Sequence, residues 1–233
     1  DNLVRVLALD QGNAVDQFDL DAPIEPHSDA HWPNYPRGVL KLLQAAGWSF
    51  GGADIVICGD VPQGAGLSSS ASLELAILQA FKAMYRLDAL DGTTMALIAQ
   101  RAENQFVGCN CGVMDQLISA LGQAGRALLI DCRSLAVEPV PIPADLAGMI
   151  VHSRVERGLV DSAYNQRRAQ CEQAARHFGL ASLRDLDLST LLAHGDELDP
   201  VVFRRARHVL SENQRVLHAR DALVANDLAR LGQ

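Results

Sequence analysis

The feature that most constrains this chain is a glycine- and serine-rich loop, Asp60-Val-Pro-Gln-Gly-Ala-Gly-Leu-Ser-Ser-Ser-Ala-Ser72. It joins a short apolar run at 55–58, suited to a buried strand, to a segment in which Leu73, Ile77, Ala80, Phe81 and Met84 recur at helical spacing. A tight turn between strand and helix delivers backbone N–H groups and the positive end of the helix dipole to one place, and that place attracts an anion. Gly64 and Gly66 let the backbone approach a ligand without a Cβ in the way. Ser68, Ser69, Ser70 and Ser72 offer hydroxyls to phosphate oxygens or a hard metal ion. The plainer reading is a Gly/Ser connection in which a serine caps the helix.

With 233 residues, 48% of them hydrophobic, the chain is long enough to bury a substantial core in one large or two modest domains. No apolar run approaches the length of a membrane span, and the first residues lack the charged, apolar and small-residue regions of a signal peptide. A soluble, cytoplasmic protein without membrane contact is the expectation. The five cysteines, an odd number, read as reduced thiols in such a compartment. Residues 1–150 carry 8 Lys/Arg against 17 Asp/Glu, which excludes a nucleic-acid surface there. The arginines of the remainder alternate with acids along helical patterns, as solvated faces do.

Strands are expected at 3–9, with 17–20 as a pairing partner, and at 55–58. A hairpin of 127–131 and 135–140 joins at Cys132-Arg-Ser134, and a last strand is expected at 148–152. The proline-rich segments 23–26 and 31–36 read as loop, because proline withdraws donors and fixes φ. A helix follows through Val39, Leu40, Leu43 and Ala46, stopped by Gly47. Another is capped by Thr93 or Thr94 and carries Glu103 at its end; a short one spans 116–121, and long ones span 159–178 and 200–230. Strands early and helices late point to an α+β fold. The sequence starts without an initiator Met inside an expected strand and stops within an amphipathic pattern, as a fragment of a longer chain would.

The loop Pro62-x-Gly64-x-Gly66-Leu67-Ser68-Ser69-Ser70-Ala71 resembles the phosphate-binding motif of the GHMP small-molecule kinases. Ala102-Glu-Asn-Gln-Phe-Val-Gly-Cys-Asn-Cys-Gly-Val-Met-Asp-Gln116, Leu128-Leu-Ile-Asp-Cys-Arg-Ser-Leu135, Tyr164-Asn-Gln-Arg-Arg-Ala-Gln-Cys171 and Trp32-Pro-Asn-Tyr35 with Gly38 are similar to the galactokinases within that superfamily. The resemblance implies an N-terminal ATP-binding domain of the ribosomal-protein-S5-domain-2-like kind over 1–147. It implies the helical first part of a ferredoxin-like C-terminal domain over 148–233.

By the same resemblance, Gly64, Gly66, Leu67, Ser68, Ser69 and Ser70 wrap the phosphates of ATP, and Trp32 lies beside the adenine. Ser69 and Glu103 hold Mg²⁺, a cation that prefers hard oxygen ligands and needs few from the protein when phosphates and water complete its octahedron. Asp115 is the catalytic aspartate set against the anomeric hydroxyl of galactose; Gly112 and Tyr164 contact the sugar. Taken from the residues alone, Glu103 reads as a solvated helix carboxylate, Asp115 as a helix N-cap, and Trp32 and Tyr164 as packing.

Three features depart from the galactokinase pattern. The N-terminal motif that supplies an arginine and the sugar-hydroxyl ligands is missing, as is the C-terminal glycine-rich motif, and the usual Lys-Arg-Thr is Glu156-Arg-Gly158. The 233 residues are therefore expected to be inactive by themselves, with exposed sheet edges that favour self-association. Two alternatives stand beside a galactokinase: a catalytically silent sugar and nucleotide sensor on the same fold, and a GHMP kinase for another sugar. Cys109-Asn-Cys111 has no second ligand pair at zinc spacing, Gly66-Leu-Ser-Ser-Ser is not a nucleophile elbow, and no Gly-Lys-Ser/Thr occurs.

Overall fold

The computed structural model describes residues 2–151 and 160–232; of 160–164 only the helical backbone is described. The chain divides into two compact units, one of residues 1–122 with 130–136 and the other of 123–129 with 137–233.

In the first unit, alternation dictates the sheet. Strand β1 (Leu3–Ala8) turns Val4, Val6 and Ala8 inward. It pairs antiparallel with β2 (Ala14–Asp19) and parallel with β3 (Ala53–Ile57), giving the order β2-β1-β3. Helix α1 (Asn34–Ala45) packs on this sheet, and a buried ion pair fixes it there: Arg37 donates to both oxygens of Asp16 on β2, at 2.8 and 2.7 Å. The helix starts earlier than the proline-rich segment suggests. Pro33 and Pro36 fall at its N-cap and first turn, where a missing N–H breaks no intrahelical bond.

Helix α2 (Ser69–Tyr85) is the axis of the unit. Its core stripe is Ala71, Leu75, Leu78 and Phe81, with Ile77 also buried, whereas Met84 is exposed. The apolar face read from the sequence is therefore rotated from the one that enters the core. Helix α3 (Gly92–Ala102) is capped by Asp91, not by Thr93 or Thr94; its carboxylate accepts the Thr94 N–H at 2.7 Å. A wide π turn over Glu103–Val107 closes on Gly108, whose N–H reaches the Glu103 carbonyl at 2.8 Å. Helix α4 (Met114–Leu121) packs through Leu117 with Ala96 and Val113, and Leu135 leans on that cluster from the hairpin turn.

Strands β4 (Arg126–Ile130) and β5 (Val137–Pro141) form the expected hairpin. The second strand starts late because Leu135 sits in the left-handed region (φ 61°) and Asp131 collects the N–H groups of Arg133 and Ser134. In the second unit, α5 (Val160–His177), α6 (Leu188–Ala193) and α7 (Pro200–Val224) bury Ala174, Leu191, Val202, Ala206 and Leu210 against one another. Arg220 of α7 ties to Glu138 of β5 at 3.0 Å. The expected helix to 230 breaks at Asn226 (φ 53°), after which Asp227 caps a short α8 (Leu228–Leu231). The strand expected at 148–152 does not form over 148–151: Met149, Ile150 and Val151 are exposed, and no ladder joins them among the described residues. His152 and the Glu156-Arg-Gly158 departure lie outside the described residues.

Candidate functional site

Beside the sheet of the first unit lies a cleft of about 490 Å³, a size suited to a small-molecule ligand. Ile55 and Ile57 of β3 line it together with Leu73, Ile77 and Ala80 of α2. These last three are among the five positions whose helical spacing is plain in the sequence, the others being Phe81 and Met84. Helix α2 therefore has two apolar faces, one turned into the core and one lining the cleft. Trp32 is half-buried, packs on the core and also borders the cleft. The glycine- and serine-rich loop contributes Gly64, Ser69, Ser70 and Ser72.

The loop geometry speaks against the serine cap. Gly64 and Gly66 take left-handed φ of 68° and 76°, which only glycine adopts without strain. Ser68 occupies the N-cap position of α2 yet is itself left-handed, at φ 56°, and its side chain makes no capping bond. The serine-cap reading is therefore replaced: the first N–H groups of α2 are left without the side-chain acceptor that a cap would provide. A non-glycine residue held left-handed costs about 1–3 kcal/mol, so the loop carries strain. Gly66, Leu67 and Ser68 shape the loop without lining the cleft. Neighbouring turns brace it. Asp10 accepts the Gly59 N–H at 2.7 Å, and Gln11 donates to Gln63 at 2.8 Å.

Glu103 is the first residue of the π turn and is 6% exposed, so it is not the solvated carboxylate that its residue type suggests. Its Oε2 accepts from Gln116 Nε2 at 2.5 Å and from the Cys111 thiol at 3.2 Å. Burial, with Glu103 as close acceptor and charge, pushes the Cys111 thiol up from its ordinary range, away from the reactive thiolate. Among the described residues no cation pairs with Glu103. A buried carboxylate so placed is costly unless something positive joins it, and oxygen donors of this kind suit Mg²⁺. No cluster of three or more His, Cys, Asp or Glu side chains forms a ready-made metal cage among the described residues.

Asp115 is half-buried in the first turn of α4, inside the helix. The N-cap position belongs to Val113, so the capping explanation of Asp115 is replaced as well. Gly112 is exposed just before that helix. Tyr164 falls on α5, and its side chain lies outside the described residues. Gly38 faces the π turn: a Cβ there would stand 3.1 Å from Phe106 Cβ, so helix α1 and the turn bearing Glu103 approach as closely as they do because residue 38 has no side chain.

Glu74 gives no motif signal of its own. It is fully buried on the core stripe of α2, and burial next to Glu103 raises its pKa to about 10. Its spacing from Ala71, Leu78 and Phe81 is the clue in the sequence, because an acid at a core position of an amphipathic helix requires a reason.

Among the described residues no helix is long and apolar enough to cross a membrane. Residues 34–123 match the family model for the GHMP kinases N terminal domain. The whole chain is similar to a solved Lactococcus lactis galactokinase, crystallised in complex with galactose, at 30% identity and a TM-score of 0.88. That match covers 100% of this chain and 61% of the galactokinase, so the chain spans less than two thirds of its relative's length. The chain has the α+β architecture of the GHMP kinases, and its similarity to their N-terminal domain model lies over residues 34–123.

Proposed function

We propose that this chain is the nucleotide-binding part of a galactokinase, transferring the γ-phosphoryl group of ATP to the anomeric hydroxyl of α-D-galactose to give galactose 1-phosphate. Residues 1–147 form the ATP-binding domain and 148–233 the start of the second. The observation that carries the reading is the left-handed, uncapped start of α2 beside an apolar cleft bordered by Trp32. An adenine fits the apolar walls, and phosphate oxygens fit N–H groups that no side chain caps.

Phosphoryl transfer asks little covalent chemistry of a protein, so positioning and electrostatics do most of the work. Gly64, Gly66 and the N–H groups at Ser68, Ser69 and Ser70 hold the phosphates. Glu103 and Ser69 are the ligands for Mg²⁺, which when bound offsets the charge of the moving group. Asp115 orients the sugar hydroxyl and accepts its proton as the new P–O bond forms. Gly112 contacts the sugar ring. The galactose bound by the Lactococcus lactis protein supports the choice of sugar.

The test is a coupled ADP-release assay of the full-length protein with ATP, Mg²⁺ and a panel of sugars. Galactose-dependent turnover is the expected result. Turnover with another sugar alone identifies a kinase of different specificity, and nucleotide and galactose binding without turnover identifies a silent sensor.

A further inference from the structure

Three oxygen atoms in the interior around α2 have no hydrogen-bond partner among the described residues: both carboxyl oxygens of Glu74 and the amide oxygen of Gln116. Glu74 and Gln116 are both 0% exposed. The amide nitrogen of Gln116 is already committed to Glu103 at 2.5 Å, with Cys111 Sγ a longer contact at 3.7 Å. Acceptors are thus crowded together and donors are short. Glu74 adjoins Gln116 and Glu103, so this part of the interior holds two carboxyls and one amide, and a donor at residue 74 meets the shortage. An apolar side chain of the same size would remove the unmet hydrogen-bonding need, so Glu74 is not there for core stability.

We propose that Glu74 is a positioning residue for Glu103: with Gln116 it fixes the orientation of the Glu103 carboxylate and so sets the affinity of the site for a divalent cation. This rests on the reading of Glu103 as the metal carboxylate. Glu74 lies five positions into the helix that Ser69 begins, so one rigid element carries both a candidate metal hydroxyl and the group that steadies the candidate metal carboxylate. Groups that orient a metal ligand typically change metal affinity 10–100-fold when removed.

The experiment measures Mn²⁺ binding by electron paramagnetic resonance in the full-length protein with a non-hydrolysable ATP analogue, beside thermal unfolding without metal. Glu74→Met should weaken Mn²⁺ binding about tenfold or more while unfolding at the same temperature as wild type or higher. Glu74→Gln keeps a donor of the same shape and should stay within about threefold of wild type, by the same reasoning on retained orientation. Wild-type Mn²⁺ affinity in Glu74→Met, with Glu103→Gln weakened, overturns the positioning role and leaves the kinase reading intact. Loss in Glu74→Gln as large as in Glu103→Gln also overturns it, because Glu74 would then act by its charge; this comparison decides the matter even if Glu74→Met does not fold. Unchanged affinity in Glu103→Gln removes the metal role of Glu103 itself, and the inference with it.

Discussion

Asp115 and Glu103 divide the candidate chemistry between them, and each substitution has its own signature. In the full-length protein, Asp115→Asn should lower turnover by about two to four decades, the range for a positioned acid–base group, with little change in sugar affinity because the amide is nearly isosteric. Equal turnover in mutant and wild type would exclude Asp115 from the mechanism. Glu103→Gln should raise the Mg²⁺ concentration at half-maximal rate, since a neutral amide is a poorer ligand for a hard cation; a superimposable Mg²⁺ titration would leave Glu103 without a metal role. Glu74 has a consequence for stability. Its pKa is near 10 in the folded protein and in the ordinary carboxylate range once unfolded. Between those values the folded state binds the extra proton, so stability is fully present below the unfolded pKa and falls as pH rises, by up to about 1.4 kcal/mol per pH unit. Without divalent cation, denaturant unfolding from pH 5 to 9 should show this decline, and Glu74→Met should flatten it. Glu103 and Asp115 were legible in the sequence through the motif around them. Glu74 was not, because a lone acid on a helix ordinarily points to water, and only its place on the core stripe shows otherwise.

Periodicity located most elements and blurred their edges and faces. Helix α2 illustrates the limit: of the residues that keep helical spacing, Leu73 and Ala80 line the cleft, Phe81 enters the core, Ile77 does both and Met84 is exposed. A sequence marks a face as apolar without saying whether protein or ligand covers it. Helix α1 began inside a segment that its prolines assign to loop, since proline at a helix start is permitted for the same reason that it is excluded further in. The expected strand at 148–152 failed over its described part because a ladder needs a partner, and partners are not written in the strand itself. The π turn was also invisible beforehand. Its close packing against α1 gives a test at this scale: Gly38→Ala places a Cβ 3.1 Å from Phe106 Cβ, and an overpacking cost of about 1–3 kcal/mol should exceed the roughly 0.5–1 kcal/mol that alanine gains over glycine within a helix, for a net loss of stability. Thermal unfolding measures it. A melting temperature equal to wild type would show that Phe106 yields without cost and that helix and turn are loosely coupled.

At the scale of the molecule, binding and turnover should separate. The 233 residues hold the cleft and its loop and span 61% of the galactokinase to which they are similar. By the resemblance to the galactokinases, the arginine and the sugar-hydroxyl ligands of their N-terminal motif are expected outside these 233 residues. We expect this stretch, expressed alone, to bind an ATP analogue without galactose-dependent ADP release; losing one cationic group of that kind costs about three to five decades. Turnover near that of a full-length relative would overturn this division. The second apolar face of α2 bears on the handling of the protein as well as on its chemistry. Along the cleft Ala80 and part of Leu73 are exposed beside the buried Ile77, so without nucleotide the protein's colloidal behaviour depends on what is in the buffer. Nucleotide at a hundredfold excess over its dissociation constant adds about 2.7 kcal/mol to the folded state. It also takes a greasy strip off the market for neighbouring molecules, and purification yield and shelf life should track nucleotide concentration.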